Sequence, residues 1–141
     1  MNRLAGCTWL LLPALLFGLS TVAAADGVTS EVLVKSTKSW NGAPLPAWPA
    51  GQPEITIARI RVEPGVKLPM HDHPVIIAGV LLSGSLTVAT EDGQTLKLGP
   101  GDPIVEVVNT WHYGANEGTE PTEIIVFYAG SEGMPLSRAR E

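Results

Sequence analysis

The chain has a single cysteine, Cys7, and it lies within the first ten residues. Basic residues are also scarce, with 9 Lys and Arg against 14 Asp and Glu and a net charge of −5. Beyond residue 25 no ten-residue window carries an apolar repeat of helical period. Each shortage excludes something. With no cysteine in the body of the chain there is no disulfide staple, no thiolate nucleophile and no sulfur ligand. Stability then rests on packing, and any metal ligand is nitrogen or oxygen. With no basic stripe there is no surface for a nucleic-acid backbone or for anionic lipid. With no helical periodicity the fold is built from strands.

What is present begins with a leader. Asn2-Arg3 give a short basic start, and Leu10 to Leu19 form an apolar run broken only by Pro13 and Gly18. Ser20 to Ala25 supply the small residues that a signal peptidase reads. The run is too short for a comfortable membrane span, so residues 1–25 are expected to be a cleaved secretory signal, cut after Ala25. The expected location is periplasmic or secreted. Leu4-Ala5-Gly6-Cys7 looks like a lipoprotein cleavage box, but such a box follows its apolar run and this one precedes it. Cleavage would remove Cys7 and Arg3 and no acidic residue, leaving eight basic residues against 14 acidic ones, net −6. Such a domain is expected to bind neither nucleic acid nor, once the leader is gone, membrane.

The remainder predicts one all-β domain. Ser30 to Lys35 is a first short strand candidate. Trp40 to Pro53, "WNGAPLPAWPAGQP", holds four prolines and two glycines, which exclude a helix or central strand. Residues 26–53 are thus expected to form a strand and a Pro-rich arm laid on the body, anchored by Trp40 and Trp48. Further strands are predicted at Ile55–Val62, Val75–Leu82, Ser85–Thr90, Gln94–Leu98, Ile104–Val108 and Glu123–Tyr128, separated by Gly/Pro/Asp turns. Val75–Leu82 is apolar on both faces and so covered on both. Short strands at this spacing argue for an antiparallel sandwich or barrel over residues 54–130, with 131–141 as a tail.

Two of the three histidines sit one residue apart in "MHDHPVIIAG". In a strand, residues i and i+2 share a face, so His71 and His73 project together, with Val75, Ile77 and Gly79 on the same side. His112 lies 39 residues on, in "NTWHYGAN", where an antiparallel barrel could bring it opposite the pair. On spacing alone the three are equally compatible with a metal site and with satisfied core histidines. Asp72, of opposite parity, is expected to be solvated. Trp111 and Tyr113 flank His112 on the other face and are expected to pack in the core or against a second copy. Asn116 is expected to bond backbone groups in its turn.

These residues resemble the two motifs of a small single-domain cupin, a jelly-roll β-barrel. The first motif expects a glycine, five residues, H-x-H, a glutamate after three more, and a glycine after a further six. Gly65, His71, His73 and Gly84 stand at those places, but Ile77 occupies the glutamate position. In the second motif His112 and Asn116 match, while Val107 replaces a proline and Asn109 a glycine. Asparagine tolerates the left-handed turn that glycine would make. The resemblance covers roughly Ile55 to Tyr128. It names the fold more firmly than the reaction, because this barrel hosts enzymes, storage proteins and sensors.

The resemblance implies a divalent transition metal held by His71, His73 and His112. Three neutral imidazoles leave the ion its full charge and open positions, and iron, manganese, zinc, nickel and copper all accept imidazole. Zinc would favour hydrolysis, and iron oxygen chemistry. Glu106, in "IVEVV", shares parity with His112 if the strand runs unbroken. It is then the candidate replacement carboxylate, as ligand or general base; a turn near Asn109 would instead send it to solvent. Ile77, Met70 and Trp48 are the expected walls of an apolar substrate pocket. The expected function is an exported metal-dependent enzyme acting on a small molecule, an oxygenase among the options. The alternatives are a small-molecule binding or sensing module and a structural dimer with a degenerate site. A homodimer is expected under all three.

Overall fold

The computed structural model describes residues 27–140. The signal-peptide reading of residues 1–25 lies outside them. Among the described residues the regular structure is all β, in nine strands: β1 (Pro53–Val62), β2 (His71–Asp72), β3 (Ile76–Ser83), β4 (Leu86–Thr90), β5 (Thr95–Leu98), β6 (Pro103–Val105), β7 (His112–Ala115), β8 (Thr122–Ser131) and β9 (Arg138–Ala139). They form a four-stranded sheet, β1-β8-β3-β6, and a five-stranded sheet, β5-β4-β7-β2-β9, with every pairing antiparallel.

Period-2 patterning explains the layering. In β8 Ile124, Val126 and Tyr128 are buried while Phe127 is exposed, and in β3 Ile77, Gly79 and Leu81 are buried. These residues meet Leu86, Val88 and Leu98 of the opposite sheet in one core. Leu81 has no exposed surface, and its truncation to alanine should cost about 2–5 kcal/mol. The sheets join at tight corners. Gly84 turns the chain with φ +73°, and a Cβ there would lie 2.7 Å from the carbonyl oxygen of Pro121, so only glycine fits.

Several boundaries depart from the sequence expectation. Residues 30–35 form no strand: Val32 is 75% exposed and the segment pairs with no strand among the described residues, although its β-branched composition favours extension. The arm that follows is anchored by Trp40 but not by Trp48, whose side chain is exposed. The region after residue 131 is more than a tail, since β9 pairs with β2. The outer face of β3 is half-buried at Ile76, Ala78 and Val80, and Leu82 is exposed, so the expected cover on both faces is incomplete among the described residues.

Candidate metal centre

His71 and His112 are cross-strand partners in the β2–β7 pair. His73 follows two residues after His71, where the chain leaves β2 and bends at Pro74-Val75 toward β3 in the other sheet. The shared parity of His71 and His73 therefore does not extend through a continuous strand to Gly79. The two rings nevertheless face one space, with centroids 4.9 Å apart. The His112 ring lies 4.5 Å from that of His71 and 5.0 Å from that of His73. One ring nitrogen from each of the three lies within 4.8 Å of the others.

The hydrogen bonds fix the ring tautomers. Nδ1 of His71 donates to the carbonyl of Pro69, Nδ1 of His73 to that of Leu136, and Nδ1 of His112 to that of Thr110, each at 2.7 Å. A carbonyl only accepts, so Nδ1 carries the proton and each Nε2 keeps its lone pair. Burial pushes the His73 imidazole down to about 4, opposed by its bond to Leu136. Burial also lowers His71. Both rings are thus unprotonated at neutral pH. Three buried or half-buried Nε2 lone pairs facing one space form a donor set that fits a borderline divalent ion.

Glu106 is buried and faces the same cavity. Its Oε2 lies 4.0 Å from Nε2 of His112, while Oε1 accepts from the indole Nε1 of Trp40 at 2.8 Å and from the backbone N–H of Val107 at 2.9 Å. The expected route to this position was wrong. The strand is not unbroken: β6 ends at Val105, and Asn109 does adopt the left-handed turn, with φ +50°. Glu106 points inward because its backbone N–H continues the β6–β3 pairing onto the carbonyl of Ile77, at 2.9 Å. It reaches the histidines from the opposite sheet.

The cavity has a volume of about 90 Å³. Aliphatic side chains from both sheets make most of its wall, Ile77 among them, and its polar side chains are the three histidines, Glu106 and Tyr128. Met70 and Trp48, expected as walls, are not part of the lining. Met70 lies just before β2, half-buried but outside any strand. Trp48 sits in the Pro-rich arm, 72% exposed. Tyr128 was not singled out from the sequence, although its parity with Val126 and Ile124 was legible. Its ring stands edge-on to His73 at 5.9 Å, and burial raises its phenol.

Asp72 departs most from expectation. It is 4% exposed and takes a bidentate bond from Arg138, Nε to Oδ1 at 2.8 Å and Nη2 to Oδ2 at 2.5 Å. That bond holds its carboxyl below the usual aspartate range. Arg138 also donates to Oδ1 of Asn109 at 2.9 Å, and the Asn109 N–H bonds the carbonyl of His73 at 2.8 Å. The segments bearing His73 and His112 are thereby tied together from behind. Trp111 and Tyr113 are half-buried and face cations of their own chain, Arg140 at 5.4 Å and Lys67 at 3.6 Å from the ring centroids. Asn116 donates to the carbonyls of Val62 and Glu120, closing its turn as expected.

Residues 58–128 match the model of the Cupin domain family. The chain belongs to that family, and its fold is the cupin β-barrel. No protein among those of curated function matches it. Among solved structures it is similar to a crystal structure of DMSP lyases (20% identity, TM-score 0.54), covering 62% of this chain and 44% of that one. It is also similar to an uncharacterized conserved protein with a double-stranded beta-helix domain from Klebsiella pneumoniae (21% identity, TM-score 0.52), over 64% of this chain and 86% of that one. A third is the polyketide cyclase RemF from Streptomyces resistomycificus (20% identity, TM-score 0.53), over 65% and 63% respectively. The chain thus spans less than half of the DMSP lyase chain. At these identities the likeness is one of fold.

Proposed function

We propose that this cupin is an exported metal-dependent enzyme that holds one divalent transition metal through His71, His73 and His112 and acts on a small molecule. The observation that carries the reading is the common orientation of the imidazoles. Three separate backbone carbonyls hold the Nδ1 protons, and the three Nε2 lone pairs face one buried space. When bound, the ion would supply Lewis-acid or redox chemistry, according to its identity. The chain's own groups supply the rest. Glu106 presents Oε2 beside the histidines as ligand or general base, the Tyr128 phenol offers a donor to a ligand oxygen, and the aliphatic wall gives the site apolar surroundings. The cavity beside the histidines is small and apolar, which suits a small ligand.

The reaction is left open by the fold. Proteins of similar fold include, by their names, a lyase and a cyclase, and one architecture serves both. A second reading, a small-molecule binding or sensing module, is favoured by the sparse polar lining, which offers Glu106 and Tyr128 as the groups besides imidazole for turning over a substrate. Screening the metal-loaded protein for oxygen uptake and for hydrolysis separates the two, because a sensor would bind tightly without turnover. Export rests on the leader sequence, and an amino terminus at Asp26 in protein recovered from the periplasm or medium would test it.

The test of the central claim is metal analysis of protein purified without a histidine tag, beside His73→Ala. About one ion per chain in the wild type and far less in the variant is the expected result. Equal, near-zero contents in both would remove the proposal.

A further inference from the structure

We propose that Trp40, in the arm that precedes the barrel, is a positioning residue that aims Glu106 at the metal centre. The inference rests on the metal-binding reading and adds to it a determinant outside residues 58–128, the part of the chain the family shares.

The arm makes three hydrogen bonds to Val105 and Glu106. The Trp40 N–H donates to the carbonyl of Val105 at 2.8 Å, and Oγ of Ser39 donates to the carbonyl of Glu106 at 2.8 Å. The indole Nε1–H donates to Oε1 of Glu106 at 2.8 Å, and that same oxygen accepts from the N–H of Val107 at 2.9 Å. Ser39 is buried and the Trp40 ring packs against the core. A tight turn sets the direction of the indole: Ser39 N–H bonds the carbonyl of Ala43 at 2.8 Å, Gly42 N–H bonds that of Ser39 at 2.9 Å, and Gly42 takes φ +87°.

The chemistry follows from the carboxylate's own freedom. The last torsion of a glutamate is broad, so the side chain alone does not fix the plane of its carboxylate. Two donors on Oε1 fix that plane and leave Oε2 toward Nε2 of His112. The Val107 N–H alone is a weak guide, since it lies next in the chain and moves with the glutamate's own backbone. The indole N–H comes from a separate segment 66 residues away and fixes the plane. Trp40 is thus placed to convert a buried carboxylate into an oriented one.

The test uses the full chain with cobalt(II) alone as probe, read by calorimetry and by the visible ligand-field spectrum. Variants are Trp40→Phe, Glu106→Gln, the double variant, and Trp48→Phe as control. Trp40→Phe should weaken cobalt binding about tenfold, the lower end of the effect of losing an outer-shell partner. Its spectrum should move toward that of Glu106→Gln. In the Glu106→Gln background, Trp40→Phe should change neither affinity nor spectrum, and Trp48→Phe should match the wild type throughout. Unaltered binding by Trp40→Phe would overturn the inference, as would an equal loss in both backgrounds, which marks a purely structural role. If Trp40→Phe does not fold, β-(3-benzothienyl)alanine at position 40 keeps the ring shape and removes only the N–H. Failure of the wild type to bind cobalt would overturn the metal reading itself, and this inference with it.

Discussion

The backbone N–H of Glu106 donates to the carbonyl of Ile77 at 2.9 Å, placing the two residues opposite each other where β6 runs on past its last strand residue beside β3. Ile77 stands at the position where the cupin motif expects glutamate. A carboxylate thus stands one strand over from the motif position, on the adjacent backbone, and both side chains line the cavity. A transplant tests this equivalence. Glu106→Gln should weaken divalent-metal affinity by about 10- to 100-fold. Ile77→Glu in that background should recover part of the loss, by titration calorimetry with zinc. No recovery in a folded double variant would show that position 106 does something position 77 cannot.

Acidity should act through the histidines. In the metal-free protein burial depresses His73 to about 4 and lowers His71 as well. Above the ordinary value of 6.5 both native and unfolded chains carry neutral rings, and the full stability is present. Between about 6.5 and 4 the unfolded chain takes up protons that the native one resists, so stability falls as pH falls through that window, by about 3 kcal/mol for His73 alone. Urea midpoints of the metal-free protein should drop between about pH 7 and about pH 5, and His73→Gln should flatten that slope. A slope equal in variant and wild type would assign the effect elsewhere.

How far the sequence carries can be seen residue by residue. The barrel was legible because its signals are local: β-branched runs, glycine turns, and an asparagine at 109 standing for a glycine in the motif, which indeed takes φ +50°. The three histidines were legible from motif spacing, since a closed antiparallel sheet brings distant strands together. Strand parity served less well. It placed Glu106 correctly through a false premise, because the inward direction comes from the second sheet and not from an unbroken strand to His112. It also misplaced Asp72, whose burial depends on Arg138, 66 residues away and in a segment without strand signal. The Trp40–Glu106 bond was equally hidden, because a tryptophan's N–H acceptor leaves no periodic trace.

Arg138 should matter more than its half-exposed side chain suggests. It joins Asp72, between the two motif histidines, to Asn109, three residues before His112. Arg138→Ala leaves a 4% exposed carboxylate without its bidentate partner, and the melting temperature at neutral pH should fall by a few degrees. The bond holds the folded Asp72 pKa below its unfolded value. Its stabilisation is present above the unfolded value and is lost as pH falls through the folded one. The gap between wild type and variant should therefore narrow on strong acidification. A gap that persists unchanged in acid would point to lost packing of the arginine stem rather than to the ion pair.

The outer face of the four-stranded sheet bears on assembly. Ile57 of β1 and Phe127 of β8 are cross-strand partners, 61% and 42% exposed, and Ala78 of β3 continues the same row. Ile55 and Ala129 form the next row, ending on Ile76. The ion pairs of Arg59 and Arg61 with Glu123 bound this apolar field at one end. An apolar sheet face with a charged margin is what a closed two-fold contact uses, because each copy offers the same surface to the other. We propose that a second copy covers it. Sedimentation equilibrium should then show a dimer for the wild type. Ile57→Lys with Phe127→Lys should weaken association at least tenfold, because two like charges without a partner would be buried at the centre of the contact. Monomers of the wild type at the concentrations used for metal analysis would refute the pairing, and an undiminished dimer in the double variant would move the interface to another face.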